Sequence, residues 1–137
     1  MRWVNDRVPY RYTAIFAFDG AMLRNLCLVD KQNANIKVGP DQPITESYCI
    51  YIHRSGSSFQ VEESLTDSRV SDHPRRTAYQ CYYGIPLLGP DGRLRGTVCH
   101  FDDAPVRVTE DIVTVLDDLA SSIAEAAFGA ESAKHKI

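Results

Sequence analysis

Two apolar runs, residues 82–88 and 94–101, flank the tetrapeptide Gly89-Pro90-Asp91-Gly92. Proline presets one turn angle, aspartate caps the turn, and glycine accepts the positive φ that closes it. The two runs therefore read as a long antiparallel hairpin, and any fold for this chain has to be built around it. Pro86 has no N–H to give to a ladder, so it marks a sheet edge or a bulge. Side chains alternate faces along a strand, which puts Cys99 and His100 on opposite sides. They cannot act as a nucleophile and its base, because that pairing needs hydrogen-bond contact. Cys99 shares a face with Thr97 and Phe101, and His100 shares one with Val98 and Gly96. Both faces are largely apolar, so both sides of the sheet are expected to be covered.

The rest of the chain supplies partners for that hairpin. Residues 10–18 and 23–29 are two β-type runs separated by Asp19-Gly20, a strong short-range hairpin signal. Residues 31–43 are polar and carry Gly39-Pro40-Asp41 and Pro43, so they form a loop. Thr45-Glu46 could open a helix through Ile52, although the β-branched and aromatic residues there suit a strand equally. Ser55-Gly56 turns the chain, and residues 59–62 alternate as a short strand. Residues 66–77 read as a short exposed helix or a structured loop, broken before Pro74. After Pro105 a helix starts with Thr109 as N-cap and Glu110 and Asp111 in its first turn. Its apolar stripe runs through Ile112, Val115, Leu116, Leu119, Ile123 and Ala127, and Gly129 ends it. Residues 132–137 read as a frayed tail. The outline is one α+β domain: a central antiparallel sheet of five to six strands with helices on both faces.

Composition narrows the function. At 137 residues the chain is one domain. A net charge of −3 and no basic stripe leave no nucleic-acid footprint. No apolar run approaches the roughly 20 residues of a membrane span. The N-terminus lacks the apolar stretch of a secretory signal, so a cytoplasmic location is expected. The four cysteines, Cys27, Cys49, Cys81 and Cys99, stand far apart with no C-x-x-C pair. They read as free thiols, mostly buried, with Cys99 an inert one and His100 a core or pocket-wall histidine. His53, His73, His100 and Asp102 lack metal-ligand spacing, and no phosphate-cradling glycine loop is present, so no metal or cofactor is assigned.

The stretch "YYGIPLLGPDGRLRGTVCHFD", followed by "APVRVTEDIVTVLDDLASSIAEA", resembles the second half of a GAF domain. Gly84, Pro86, Leu87, Asp91, Gly92, Gly96, Thr97, Cys99, Phe101, Asp102 and Pro105 fall on that family's pattern. Upstream, "YRYTAIFAFDG", "ITESYCIYI" and "VEESLTDSRVSDHP" resemble its opening strand, its S-x-C step and its D-x-R-x-x-x-x-P segment. The resemblance spans residues 8–128. It departs in two places: position 100 is a histidine where the family commonly has an aliphatic residue, and residues 1–8 leave little room for the usual long first helix.

The resemblance implies a small-molecule sensor of the bacterial type. One sheet face, roofed by small helices and loops, would hold an unidentified ligand. The other, under terminal helices, would pair two subunits as a homodimer or meet an output partner. By that analogy, combined with strand parity, the ligand-binding residues are Tyr48, Cys49, Tyr51, Asp67, Arg69, Tyr82, Cys99 and Phe101. Tyr83 is counted with the same aromatic cluster. Two other classes stand beside this one. A free methionine-(R)-sulfoxide reductase would use thiol chemistry, with Cys49 near a helix N-terminus as its candidate. A ligand-free module would serve dimerisation alone.

Overall fold

The computed structural model describes residues 1–130, so the tail expected over residues 132–137 lies outside the described residues. In chain order the elements are α1 (Arg2–Asn5), β1 (Tyr12–Asp19), β2 (Met22–Asp30), β3 (Gln42–Pro43), α2 (Cys49–Ser55), β4 (Phe59–Val61), β5 (Cys81–Leu88), β6 (Leu94–Asp102) and α3 (Glu110–Phe128). The strands form one six-stranded sheet in the order β3-β2-β1-β6-β5-β4, antiparallel throughout. This is the α+β architecture that the two hairpins require.

Both hairpins close on glycine. Gly20 at φ 58° turns β1 into β2, and Gly92 at φ 82° turns β5 into β6. The pairing of Ile15 with Cys27 and then Phe16 with Asn25 leaves Leu26 as the extra residue of a bulge. Pro86 pairs across to Thr97, but β4 ends its pairing at Gly84. The proline thus sits where the outer side of β5 has no strand partner. Gly96 is held by close approach: a methyl there would run into the Phe16 carbonyl of β1, and the Phe128 ring of α3 packs over it.

Two irregular segments take definite form. The helix expected from Thr45 begins instead at Cys49. Ile44–Glu46 is a separate 3-10 turn, and Ser47 is extended at φ −126° and ψ 150°, which breaks any continuous helix. Gly56 then caps α2 in the left-handed region at φ 71°. Residues 66–77 hold no α-helix: 3-10 turns at Ser64–Thr66 and Ser68–Val70 lead into a run of turns. Downstream, the Thr109 side chain accepts from the Ile112 N–H and starts α3.

The sheet buries both faces. Against α1 and α3 pack Ile15, Tyr83, Ile85, Leu87 and Val98, meeting Leu116, Ile123 and Phe128. Against α2 and the connecting loops pack Ala14, Phe16, Leu23, Tyr82 and Cys99, meeting Cys49, Ile50 and Ile52. The one-turn α1 contributes Val4 to the first core and leaves Trp3 54% exposed. A polar chain runs through this side. Lys31 donates to Asn5 Oδ1 at 3.0 Å, Asn5 Nδ2 donates to Thr13 Oγ1 at 2.8 Å, and Thr13 Oγ1 lies 2.8 Å from His100 Nδ1. His100 is fully buried, and that burial pushes its pKa down to about 3, so it is neutral in the fold.

An unfolded histidine titrates near 6.5. Between about pH 6.5 and 3 the unfolded chain therefore binds a proton at His100 that the native chain refuses. Stability should be level in this respect above pH 6.5 and fall as the pH drops, by up to about 4 kcal/mol at pH 3.5. Urea melts across this range should show that fall, and His100→Gln should remove most of it. Equal pH slopes for the two proteins would contradict the buried neutral imidazole.

Candidate functional site

On the α2 face, the sheet supplies a floor. Phe16 from β1, Tyr82 from β5, and Cys99 and Phe101 from β6 point the same way by strand parity. Tyr12 stacks on Phe101 at 4.9 Å between ring centroids, and Tyr79 meets Phe101 edge-on at 5.0 Å. Over this floor lie the segment from Gly39 to Tyr48 and the turns at Arg75 and Tyr79. Between floor and roof is a cavity of about 170 Å³. That is room for on the order of six waters.

The roof is tied down by a few specific bonds. Gly39 N–H donates to Asn25 Oδ1 at 2.8 Å, and Asn25 N–H donates to Asp41 Oδ1 at 2.8 Å, so this loop is pinned to β2. The Tyr48 hydroxyl donates to the Tyr79 carbonyl at 2.8 Å, clasping the two roof segments together. The His73 ring packs on Tyr48 at 4.5 Å and supports that clasp from behind. At the rim, Arg75 Nε donates to the Glu46 carbonyl at 3.1 Å, and its guanidinium lies 3.5 Å from the Glu46 carboxylate.

Beside the cavity, between α2 and the sheet, lies a knot of sulfur and hydroxyl groups. Cys49 Sγ is 3.2 Å from Tyr82 Oη and 3.3 Å from Thr97 Oγ1. The Cys49 N–H donates to Ser47 Oγ at 3.1 Å. Burial pushes the Cys99 thiol well up, and the hydrogen bond and charge of neighbouring Cys49 push it further. Burial also opposes ionisation of Cys49, but hydrogen bonds from Cys99, Ser47, Thr97 and Tyr82 outweigh it and draw this thiol down. Two thiols in one site repel as thiolates, so the pair holds at most one negative charge. Among the described residues no three histidine, cysteine or acidic side chains come together to hold a metal ion.

The expected site residues separate into three places. Tyr48, Tyr82, Cys99 and Phe101 line the cavity. Cys49 lies outside the lining, fully buried between α2 and the sheet beside Cys99 and Tyr82. Tyr51, Asp67 and Arg69 lie elsewhere. Tyr51 stacks on Phe59 at 4.5 Å, and Arg69 pairs with Asp67 at 2.6 Å while its guanidinium covers the Phe59 ring. Asp67 and Arg69 border a shallow acidic depression with Glu62 and Glu63. Tyr83 faces the other side of the sheet, where its hydroxyl donates to Asp117 of α3 at 2.9 Å. Tyr12, Phe16, Asn25, Gln42, Glu46, Arg75 and Tyr79 also line the cavity. Parity along β1 puts Tyr12 and Phe16 on one face and was a readable signal. The loop residues carried none, because long-range bonds place them.

The fold is that of GAF domains. The GAF domain of an Acinetobacter phosphoenolpyruvate-protein phosphotransferase superposes with a TM-score of 0.74 at 14% identity, covering 96% of this chain and 79% of that one. The free methionine-R-sulfoxide reductase of Neisseria meningitidis, solved in complex with its substrate, gives 0.69 at 16% identity, covering 96% and 74%. The type II free methionine-R-sulfoxide reductase of Thermoplasma acidophilum gives 0.66 at 11%, covering 90% and 83%. No family model matches the sequence, and no curated protein matches it. Among the described residues no helix is long and apolar enough to cross a membrane.

Burial sorts the four free thiols. Cys27 is partly exposed, whereas Cys49, Cys81 and Cys99 are buried. Iodoacetamide at pH 8 should label Cys27 in the native protein and the other three only after denaturation, at least a hundredfold more slowly while folded. Native labelling of Cys99 as fast as Cys27 would show that the floor is open to solvent.

Proposed function

We propose that this domain binds a small metabolite in the cavity beneath Tyr48 and Tyr79 and acts as a non-catalytic, cytoplasmic regulatory module. The observation that carries this reading is the cavity itself: an apolar aromatic floor with a few convergent polar groups at one rim, the composition of a ligand site. Similar folds occur in a phosphotransferase GAF domain and in the GAF domain of a two-component sensor histidine kinase from Bacillus halodurans. A volume of about 170 Å³ suits a molecule far smaller than a tetrapyrrole.

The signal has a short route. Tyr82 lines the cavity and Tyr83 is bonded to Asp117 of α3, so two consecutive residues of β5 join the two faces. A ligand that shifts Tyr82 biases the Tyr83–Asp117 contact, and α3 carries the change to a partner or to a second copy. The ligand selects the roof conformation that closes over it.

A thermal-shift screen of small metabolites tests the reading. A ligand at about 100 times its Kd adds about 2.7 kcal/mol, which raises Tm by several degrees in a domain of this size. Leu28 of β2 also lines the cavity, and Leu28→Trp should fill it and abolish the shift. A flat screen would favour a module that only dimerises.

A second reading has one observation behind it: the Cys49 and Cys99 thiols adjoin at the floor, on a fold shared with two methionine-sulfoxide reductases. In such chemistry a thiolate attacks the sulfoxide sulfur, releasing the thioether and leaving a sulfenic acid. A second thiol then condenses with it, giving a disulfide and water, and an external dithiol reduces the disulfide. Against this, Cys49 is fully buried and does not line the cavity. Free methionine sulfoxide in a coupled reductase assay should show no turnover above Cys49→Ser. Turnover that Cys49→Ser removes would reverse this preference.

A further inference from the structure

The cavity's lining holds one acid and one base, Glu46 and Arg75, side by side at the rim. The remaining polar lining is uncharged, with the Asn25 and Gln42 amides among it. The floor is aromatic, from Tyr12, Phe16, Tyr82 and Phe101. Each ligand charge state meets this rim differently. A simple anion faces Arg75 but also the Glu46 carboxylate. A simple cation faces Glu46 but also the guanidinium. A neutral molecule uses neither charge. A molecule with both signs close together satisfies both.

The pair can part at little cost for such a molecule. Its separation is 3.5 Å and its side chains are 41% and 47% exposed, so the ion pair itself contributes little stability. Arg75 stays in place when the pair parts, because its Nε is anchored separately on the Glu46 carbonyl at 3.1 Å. The guanidinium can then hold a carboxylate with two parallel N–H donors. The Glu46 carboxylate, displaced by a fraction of its reach, accepts from an ammonium. We infer that the cavity takes a small zwitterion, with its carboxylate on Arg75, its ammonium on Glu46 and an apolar body on the Tyr12–Phe101 floor. This inference rests on the reading of the cavity as a ligand site and names the chemistry of that ligand.

The probes are the free L-amino acids, together with the amide and the N-acetyl form of each, measured by thermal shift and then calorimetry. The amide lacks the negative charge and the N-acetyl form lacks the positive one. At least one free amino acid should bind, and each capped form of it should bind at least tenfold more weakly. Arg75→Gln should erase the preference over the amide alone, and Glu46→Gln the preference over the N-acetyl form alone. Both positions are exposed, so neither variant threatens the fold. Capped forms that bind as tightly as the free amino acid would overturn the zwitterion and leave the cavity a ligand site. Preferences that persist in both variants would equally overturn the role of this pair. If no form of any probe binds, and the wider screen is also flat, the ligand-site reading falls with it.

Discussion

The structure depends on the pairing of β6 between β1 and β5. That strand is central, so from Gly96 to His100 both of its faces are buried, and the side chains there must find partners on one side or the other. Thr97 and Cys99 turn to the sulfur knot, while Val98 and His100 turn to the core under α1 and α3. Gly96 lets the Phe16 carbonyl come close enough to set the register. A slip of one residue would exchange the two sets, placing an imidazole on the cavity floor and a thiol against Thr13. The cavity exists because that register holds.

The two faces are closed by different means. The α1 and α3 face is covered by regular helix with an interlocked apolar stripe and a buried polar chain. The opposite face is covered by a seven-residue helix, three 3-10 turns and loops held by isolated hydrogen bonds. Loops of this kind open locally at low cost, which is what a ligand-gated roof requires. In the proposed reading, the rigid face would serve as the reference against which movement of the roof is read. Tyr82 and Tyr83, adjacent in sequence and opposite in direction, connect the two.

Much of this was legible in the sequence, and the reasons differ by element. Asp19-Gly20 and Gly89-Pro90-Asp91-Gly92 specify tight turns through backbone angles alone, so both hairpins could be read locally. Strand parity correctly parted Cys99 from His100. The same rule, applied to Tyr82 and Tyr83, would have sent Tyr83 to α3 rather than to the aromatic cluster. The helix expected from Thr45 is present but starts only at Cys49, because the extended Ser47 interrupts it. Asp67 and Arg69 satisfy each other through an N-cap and an ion pair, a local arrangement that removes them from the cavity. Glu46, Arg75 and Asn25 carry no local pattern, because contacts between residues far apart in sequence bring them to the rim.

The central claim is that the roof over the aromatic floor closes on a small molecule. Hydrogen exchange read by mass spectrometry tests it directly, comparing the protein in buffer with the protein in the low-molecular-mass fraction of a cell extract. The account predicts slower exchange in residues 39–48 and 73–80 with the extract, and little change in the central strands. Exchange that is identical in both conditions, or protection confined to α3 with the roof unaffected, would contradict it.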